Sequence, residues 1–298
     1  MKLVVTGASG FIGRAVVEAA MGRGHEVVAL LRSDRVAFPA EVEVVHADLA
    51  EAHGLENALA GADAVIHCAA SMGTDPREQQ RDTVIATKNL LEALVRSNVP
   101  RIVLASSLAV YDHVRAGPTL DESTPLETDT RARGAYIEAK LEQERLVRES
   151  GLDARILRPG IVWGPGRGWF YHLGATLGRR VWIALAGAAK LPLVHIESCA
   201  EAFVLGAEAE RGGFTLNVID DGAPTRTEYL RRLASSTSPA PIVMSVPWGL
   251  LKLLARAANL VGVRAGTLHP ARLAARCRPL EYSNEAARRT LGWKPRTF

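Results

Sequence analysis

Two side chains four residues apart, Tyr136 and Lys140, are of the types needed to move a proton. Residues at this spacing share one face of a helix. Free tyrosine has a pKa of about 10, but a neighbouring ammonium group stabilises the phenolate and lowers that pKa toward neutrality. The pair therefore indicates a tyrosine that can act as a general acid or base. The same spacing also occurs in an exposed Tyr and Lys on an ordinary amphipathic helix.

A second set of residues suits the binding of an anion. The stretch TGASGFIG (6–13) spaces Gly7, Gly10 and Gly13 three apart, between a short apolar run and a segment with apolar residues at helical spacing. Glycine permits a tight turn and lets phosphate oxygens approach the free N–H groups at a helix amino end. The order strand, glycines, helix predicts the pyrophosphate site of a dinucleotide.

Short apolar runs alternate with helical segments through the first half of the chain. Strands are predicted at 2–6, 27–31, 42–46, 64–68, 101–105, 153–158 and 214–219, and helices at 11–23, about 77–97 and 136–150. This alternation predicts an α/β fold with a doubly wound parallel sheet and helices on both faces. Ligands bind such sheets at the carboxyl ends of the strands, where Ser106 and Ser107 follow the fifth strand.

The second half has a different composition. All five tryptophans lie beyond residue 160, and GPGRGWFYH and SSTSPAPIV are rich in glycine or proline. We predict a dinucleotide-binding domain over 1–162 and a smaller C-terminal substrate lobe over 163–298, with segments at about 195–220 returning to the first domain.

Composition excludes several classes of function. The net charge is +4 with scattered arginines, so no nucleic-acid partner is expected. Cys68, Cys199 and Cys277 have neither metal-ligand nor disulfide spacing, which predicts no metal and favours a reducing cytoplasm. No run of eighteen apolar residues predicts a transmembrane segment, and a strand starting at residue 2 leaves no room for a signal peptide. We expect a cytoplasmic protein.

The chain resembles the extended short-chain dehydrogenase/reductases, which include the epimerase/dehydratase branch. The motifs that carry the resemblance are TGASGFIG (6–13), ADL (47–49), HCAA (67–70), SSLAVY (106–111), YIEAK (136–140), LRPGIVWGPG (157–166), LVHIESCAEAF (193–203) and SNEAARRTLGWKP (283–295). The resemblance implies a Rossmann-type fold and hydride transfer with a nicotinamide cofactor. It further implies that Tyr136 protonates the substrate oxygen, Ser107 polarises that oxygen and Lys140 binds the nicotinamide ribose. Ser106 is then a strand-end residue, and His67 is a packing residue.

The cofactor-binding residues implied by the resemblance are spread over the first 162 positions. They are Gly7, Ser9, Gly10, Phe11, Ile12, Gly13, Arg32, Asp48, Leu49, Cys68, Ala69, Ala70, Tyr136, Lys140, Pro159, Gly160 and Val162. The residue that ends the second strand selects the cofactor: a carboxylate there suits NAD, whereas Arg32 suits the extra phosphate of NADP. Ser33 and Arg35 could help, while Asp34 opposes the phosphate. NADP(H) is favoured, and NAD(H) is possible.

The resemblance also bears on the substrate. Nucleotide-sugar epimerases often carry an asparagine after the sixth strand, where this chain has Pro159 and Gly160. That departure resembles the hydroxysteroid dehydrogenase-like and flavonoid reductase-like enzymes. Trp163 and the aromatic residues at 169–171 could line an apolar pocket. The leading hypothesis is an NADP(H)-dependent oxidoreductase for a relatively apolar carbonyl or alcohol. The alternatives are a nucleotide-sugar epimerase or dehydratase, kept open by Arg167, Arg179 and Arg180, and a non-catalytic dinucleotide sensor.

Three features remain open. Thr83 and Ala86 replace the Asn and Gly of the family pattern Asn-x-x-Gly-Thr, which puts any helix-bending or water-holding role of that asparagine in doubt. Ser198 replaces a usual aspartate, a change expected to affect packing or the substrate lobe more than hydride transfer. The apolar segment 246–263 could form a lid, a homodimer contact, a membrane contact or an ordinary core helix.

Overall fold

A computed structural model of the chain describes residues 1–33, 36–168, 173–177, 180–185, 187–246, 249 and 269–298. The strands are β1 (Lys2–Thr6), β2 (Glu26–Leu31), β3 (Glu43–His46), β4 (Ala64–His67), β5 (Arg101–Ala105), β6 (Thr119–Leu120), β7 (Asp153–Pro159), β8 (Ile161–Trp163), β9 (Gly174–Leu177), β10 (Val181–Ala184), β11 (Leu193–His195), β12 (Phe214–Val218), β13 (Ile242–Ser245) and β14 (Glu281–Tyr282). The helices are α1 (Phe11–Gly22), α2 (Leu55–Leu59), α3 (Pro76–Gln79), α4 (Ala86–Arg96), α5 (Thr130–Arg133), α6 (Ala135–Glu149), α7 (Ile196–Glu208) and α8 (Arg226–Ser235), followed by Pro270–Cys277 and Glu285–Leu291.

Seven parallel strands form the main sheet in the order β12-β7-β5-β4-β1-β2-β3. Successive residues of the central strand β1 face opposite cores: Leu3 and Val5 pack in the core that contains α1 and α7, and Val4 packs in the core that contains α2 and α4. A strand buried on both faces needs an unbroken apolar run, which is what the sequence has there. The predicted doubly wound α/β fold is confirmed, and the predicted strand and helix ends are shifted by at most one residue at the elements that form the site.

The long helix predicted at about 77–97 is divided. The α-helical turn α3 passes into a π-helical segment, Gln80–Ile85, before α4 begins. Thr83, buried at the centre of this segment, accepts the Ser71 N–H through its hydroxyl oxygen and donates to Gln79 Oε1. The hydroxyl of Thr87 donates to the Thr83 carbonyl oxygen at 2.6 Å. The helix therefore retains a distortion in the segment where threonine replaces the family's asparagine.

Beyond β7 the chain builds smaller sheets and then returns. β8 pairs with β11, and β9, β10 and β13 form a three-stranded sheet. Trp182, Leu193 and Tyr229 form a separate small core against which Trp163 and Phe298 pack. The segment β11-α7-β12 rejoins the main sheet, where β12 pairs with β7. The exact domain boundary at residue 162 stays a prediction.

The apolar segment 246–263 lies almost entirely outside the described residues, as do residues 169–171. In the described part of the chain, none of the helices has the length and apolar character needed to cross a membrane.

Candidate active site

The glycine turn joins β1 to α1 and aims the amino end of that helix at the carboxyl edge of the sheet. Gly7 has φ +63°, and a Cβ added there would lie 2.7 Å from the backbone nitrogen of Ala69. A Cβ on Gly13 would lie 2.2 Å from the Gly7 carbonyl oxygen. Glycine is therefore required at both positions, and α1 begins at Phe11 with its first N–H groups unpaired within the helix. This geometry suits a phosphate group.

A cavity of about 310 Å³ opens beside this turn. Nine of the predicted cofactor residues line it: Gly7, Ser9, Gly10, Arg32, Asp48, Leu49, Cys68, Ala69 and Ala70. Its other wall comes from the loop after β4 and from the start of the divided helix, with Glu78, Asp82 and Ala86. Burial raises the pKa of Cys68 to about 12, so this wall presents a neutral thiol.

The remaining predicted cofactor residues lie around the cavity rather than in its lining. Ile12 and Val162 pack against the main core, and Phe11 lies under the guanidinium of Arg167 at 4.6 Å. The Gly160 N–H donates to the Val218 carbonyl oxygen, and a Cβ on Gly160 would lie 2.0 Å from the Pro192 carbonyl oxygen. Gly160 thus allows β7 to pass close to the segment before β11, while Pro159 ends β7 in a buried position. Their role in cofactor binding stays a prediction.

Two of the three predicted catalytic residues, Lys140 and Ser107, lie at the carboxyl end of β5, and Tyr136 precedes Lys140 on α6. Lys140, 4 % exposed, donates from Nζ to the carbonyl oxygen of Ala105, the last residue of β5, at 2.7 Å. Burial lowers the pKa of Lys140 to about 8. Ser107 follows two residues later, and its Oγ accepts the Ala109 N–H at 3.1 Å. Tyr136 lies one turn before Lys140 on α6, half-buried.

Ser106, the neighbour of Ser107, connects the end of β5 to α6. Its hydroxyl donates to Glu144 on α6 at 2.5 Å. Glu144 is fully buried and accepts two hydrogen bonds from Arg158 of β7, at 2.8 and 2.6 Å. Burial works to raise the pKa of Glu144, but Arg158, Ser106 and Arg148 together outweigh it, so that this pKa lies below its ordinary value. This buried ion pair fixes α6, and with it Tyr136 and Lys140, against the sheet.

Charged side chains line the end of the cavity at Arg32 and Asp48. Arg32, predicted to select NADP, pairs with Asp82 at 3.0 Å, and Asp82 also pairs with Arg81 at 2.5 Å. Arg81 in turn contacts Asp48 at 2.6 Å. Burial works to raise the pKa of Asp48, but the Ala50 N–H and Arg81 hold it below its ordinary value. A carboxylate therefore lies within contact of the predicted phosphate-binding arginine. Asp34 and Arg35 lie outside the described residues.

His67 is a buried, hydrogen-bonded histidine, in keeping with the predicted packing role. Its ring nitrogens lie 2.6 Å from the Thr6 hydroxyl and 3.0 Å from the Thr87 hydroxyl. Burial lowers the pKa of His67 to about 3, which keeps the imidazole neutral. Gln143 also contacts this ring and was not predicted from the sequence. The signal that could have found it is its position three residues after Lys140, on the same helix face. Ser198, which replaces the family's usual aspartate, donates from its hydroxyl to buried Asp220.

Two further observations limit where the site lies. Among the described residues, no group of His, Cys, Asp and Glu side chains is arranged to hold a metal ion. A larger cavity, about 590 Å³, lies by the C-terminus and is lined by residues such as Lys190, Asp221 and Phe298. It contains none of the predicted site residues, so we place the candidate site at the glycine turn and the end of β5.

Residues 3–218 match the model of the NAD dependent epimerase/dehydratase family. Two similar relatives are a 3-diazoavenalumate denitrifying reductase from Streptomyces sp, 32 % identical over 99 % of this chain and 96 % of its own, and a 2-alkyl-3-oxoalkanoate reductase from Stenotrophomonas maltophilia, 30 % identical over 99 % and 95 %. Among solved structures, MoeE5 in complex with UDP-glucose and NAD is 26 % identical, with a TM-score of 0.76 over 100 % of this chain and 94 % of that one.

Proposed function

Because the chain belongs to the NAD dependent epimerase/dehydratase family, we propose that it is an NADP(H)-dependent oxidoreductase that interconverts a carbonyl and an alcohol on a relatively apolar small molecule. It is an NAD(P)-dependent oxidoreductase of the extended short-chain dehydrogenase/reductase type. The preference for NADP(H), the role of Tyr136 and the class of substrate are the parts that we propose.

The residues around the cavity fit a dinucleotide. The turn that would cradle the pyrophosphate is so tight that Cβ atoms added at Gly7 and Gly13 would collide with backbone atoms, and α1 begins at this turn with its amino end. Arg32 and Asp48 would meet the adenosine, and Lys140 would meet the nicotinamide ribose. The observation that carries the proposal is the position of Lys140, whose ammonium is held at the end of β5 by the Ala105 carbonyl oxygen, two residues before Ser107.

The proposed chemistry assigns one task to each side chain. The bound nicotinamide supplies or accepts the hydride. In the reducing direction Tyr136 gives its phenol proton to the substrate oxygen as negative charge develops there. The Lys140 ammonium, one turn away, lowers the pKa of that phenol. Since Ser107 Oγ accepts the Ala109 N–H, its own proton is left to donate to the substrate carbonyl oxygen.

Turnover with a panel of carbonyl compounds tests this function. The purified protein is incubated with NADPH or NADH and with apolar ketones, apolar aldehydes, 3-oxo acids or sugar nucleotides, while absorbance at the nicotinamide band is followed. The reductase names of the relatives support including 3-oxo acids. We expect NADPH to be consumed with at least one apolar carbonyl compound. Turnover of sugar nucleotides alone would contradict the proposal.

A nucleotide-sugar epimerase or dehydratase is the second candidate, and the structural similarity to MoeE5 with bound UDP-glucose favours it. Such an enzyme would use the same Tyr136, Lys140 and Ser107 on a transient keto sugar. It would leave no net change in nicotinamide absorbance, so product analysis of the sugar-nucleotide reactions distinguishes the two functions.

A further inference from the structure

A chain of buried polar side chains lies behind Lys140, and none of the proposed chemical steps uses it. Lys140 Nζ donates to Gln143 Oε1 at 2.8 Å, in addition to Ala105. The other end of the Gln143 amide, Nε2, lies 2.8 Å from Thr87 Oγ1 and 3.2 Å from His67 Nε2. The side chains of Gln143, Thr87 and His67 are fully inaccessible to solvent. These hydrogen bonds thus connect α6, α4 and β4 through the interior of the protein.

The direction of the Gln143 amide is fixed by its partners. An ammonium group can only donate hydrogen bonds, so the amide oxygen must face Lys140. The amide nitrogen must then face Thr87, whose own proton is already donated to the Thr83 carbonyl oxygen at 2.6 Å. Thr87 Oγ1 is therefore an acceptor at this contact. Both ends of the amide are satisfied in one orientation only, which holds its oxygen against the lysine.

This arrangement assigns the three donors of the Lys140 ammonium. Ala105 and Gln143 accept two of them at the end of β5, and the third remains for a ribose hydroxyl of a cofactor. A buried ammonium with fewer acceptors loses its proton more readily, since burial already favours the neutral amine. Both the direction and the charge of Lys140 thus depend on the amide oxygen of Gln143.

We propose that Gln143 is a positioning residue, which holds the Lys140 ammonium in place and in its charged form through the hydrogen-bonded chain Thr87-Gln143-Lys140. This inference rests on the proposed catalytic role of Lys140. The typical structural explanation, a buried glutamine that satisfies core polar groups, accounts for its contact with Thr87. It does not predict any effect on the protonation of the lysine.

The sign of the effect follows from the groups around the ammonium. Burial is the main influence and lowers the pKa of Lys140, while Glu144 on α6 works to raise it. Cys68 is a neutral thiol and Glu144 is paired with Arg158, so neither supplies an unpaired negative charge. His67 is neutral. Gln143 Oε1 stabilises the charged form directly, so its removal must lower the pKa of Lys140 further.

NMR titration measures this protonation without any substrate. The chain contains six lysines, so ¹³Cε-lysine labelling gives few signals, and the Lys140→Arg variant identifies that of Lys140. In Gln143→Met we expect the titration midpoint to fall by about one pH unit, because one charge-assisted hydrogen bond is lost. Gln143→Glu keeps an acceptor and should restore or raise the midpoint. Glu142→Gln, on the exposed face of α6, is the matched control and should leave it unchanged.

A second variant tests the hydrogen bond between Thr87 and Gln143. Thr87→Val removes the oxygen that holds the amide nitrogen, while leaving Gln143 and Lys140 intact, and should lower the midpoint by a smaller amount. It also provides the test if Gln143→Met does not fold. For both variants we expect the same direction of change in turnover, with kcat reduced roughly 10- to 100-fold for Gln143→Met through misplacement of the lysine.

Two results are decisive. A Lys140 midpoint that stays at the wild-type value in both Gln143→Met and Thr87→Val would overturn the positioning role. A wild-type protein that turns over none of the carbonyl compounds would contradict the proposed function instead, and the NMR midpoints would still decide the role of Gln143.

Discussion

Tyr136 carries the proton in the proposed reaction, so its hydroxyl can be removed with little expected change elsewhere. Tyr136→Phe is expected to keep the fold and the affinity for cofactor and to lose at least ~10²-fold in turnover, because the general acid is absent. Circular dichroism, cofactor titration and steady-state kinetics measure the three quantities. Glu138→Gln, two residues along the same helix, is the control. Near-normal turnover of the Phe variant on the true substrate would eliminate Tyr136 as the donor.

Cofactor preference depends on a balance of charges that the structure brings together. Arg32→Gln should weaken NADPH binding by about 1.5–3 kcal/mol and leave NADH nearly unchanged, because a charge-assisted contact to the phosphate is lost. Asp82→Asn should instead tighten NADPH, since the carboxylate 3.0 Å from Arg32 competes with the phosphate for the guanidinium. Fluorescence titration with both cofactors measures the affinities. Equal affinity of the wild-type protein for NADH and NADPH would rule out the preference.

Residues differ in whether their place in the site can be predicted from the sequence. Ser107, Tyr136 and Lys140 were predicted because their motifs are local and occur in a fixed order. Asp82 and Gln143 were not, because what matters about them is a contact across the fold. Arg32 and Asp82 are fifty residues apart in the chain, and an arginine after a strand gives no indication of the carboxylate that it will meet.

At the scale of elements, the turn between β1 and α1 tolerates no side chain at its tightest point. Gly13→Ala should lower stability and abolish cofactor binding, because its Cβ would lie 2.2 Å from the Gly7 carbonyl oxygen. Gly22→Ala in the same helix is the matched control, since a Cβ there meets nothing within 4 Å. The control should be neutral or stabilising by about 0.5–1 kcal/mol. Thermal unfolding and cofactor titration follow both variants, and normal cofactor affinity in Gly13→Ala would exclude this turn as the pyrophosphate site.

The joint between α6 and β7 is a buried ion pair. Glu144→Gln keeps the shape but leaves the Arg158 guanidinium buried without its counter-charge, so we expect a loss of about 3–5 kcal/mol in the free energy of unfolding. Urea denaturation measures this loss against the exposed control Glu142→Gln. A loss below about 1 kcal/mol would show that this pair contributes no more than a surface pair does.

The main-sheet strands were predictable because each is an apolar run bounded by turn residues. The π-helical segment Gln80–Ile85 was not, because it depends on the hydroxyl contacts of Thr83 with Ser71 and Gln79. The helical periodicity of apolar residues does not reveal one extra residue in a turn, because Thr83 bonds both to Gln79 in the preceding turn and to Ser71 on a separate loop.

At the scale of the whole molecule, strand order creates the site. The chain runs outward from β1 to β3 and then returns to place β4 and β5 on the other side of β1. The crevice at this reversal holds the glycine turn and the end of β4, and the end of β5 lies beside it. The alternation of strands and helices predicts such a sheet. The substrate side is less predictable, because Trp182 lies in the small core and Trp163 packs against it, so an aromatic-rich stretch does not by itself identify a ligand.

The class of substrate depends on how the two halves of the molecule form the site. Ligand-induced stabilisation of the folded protein tests the proposed class. With saturating cofactor, a ligand at 100 times its Kd should stabilise the protein by about 2.7 kcal/mol, read as a rise in Tm. We expect this rise with apolar ketones or alcohols, which gain affinity by burying hydrocarbon at ~25 cal/mol per Å². We expect none with UDP- or dTDP-sugars. A sugar diphosphate needs convergent arginines, and Arg167 instead stacks on Phe11 at 4.6 Å, while Arg179 lies outside the described residues. Stabilisation by a sugar nucleotide alone would favour the epimerase or dehydratase function over the reductase.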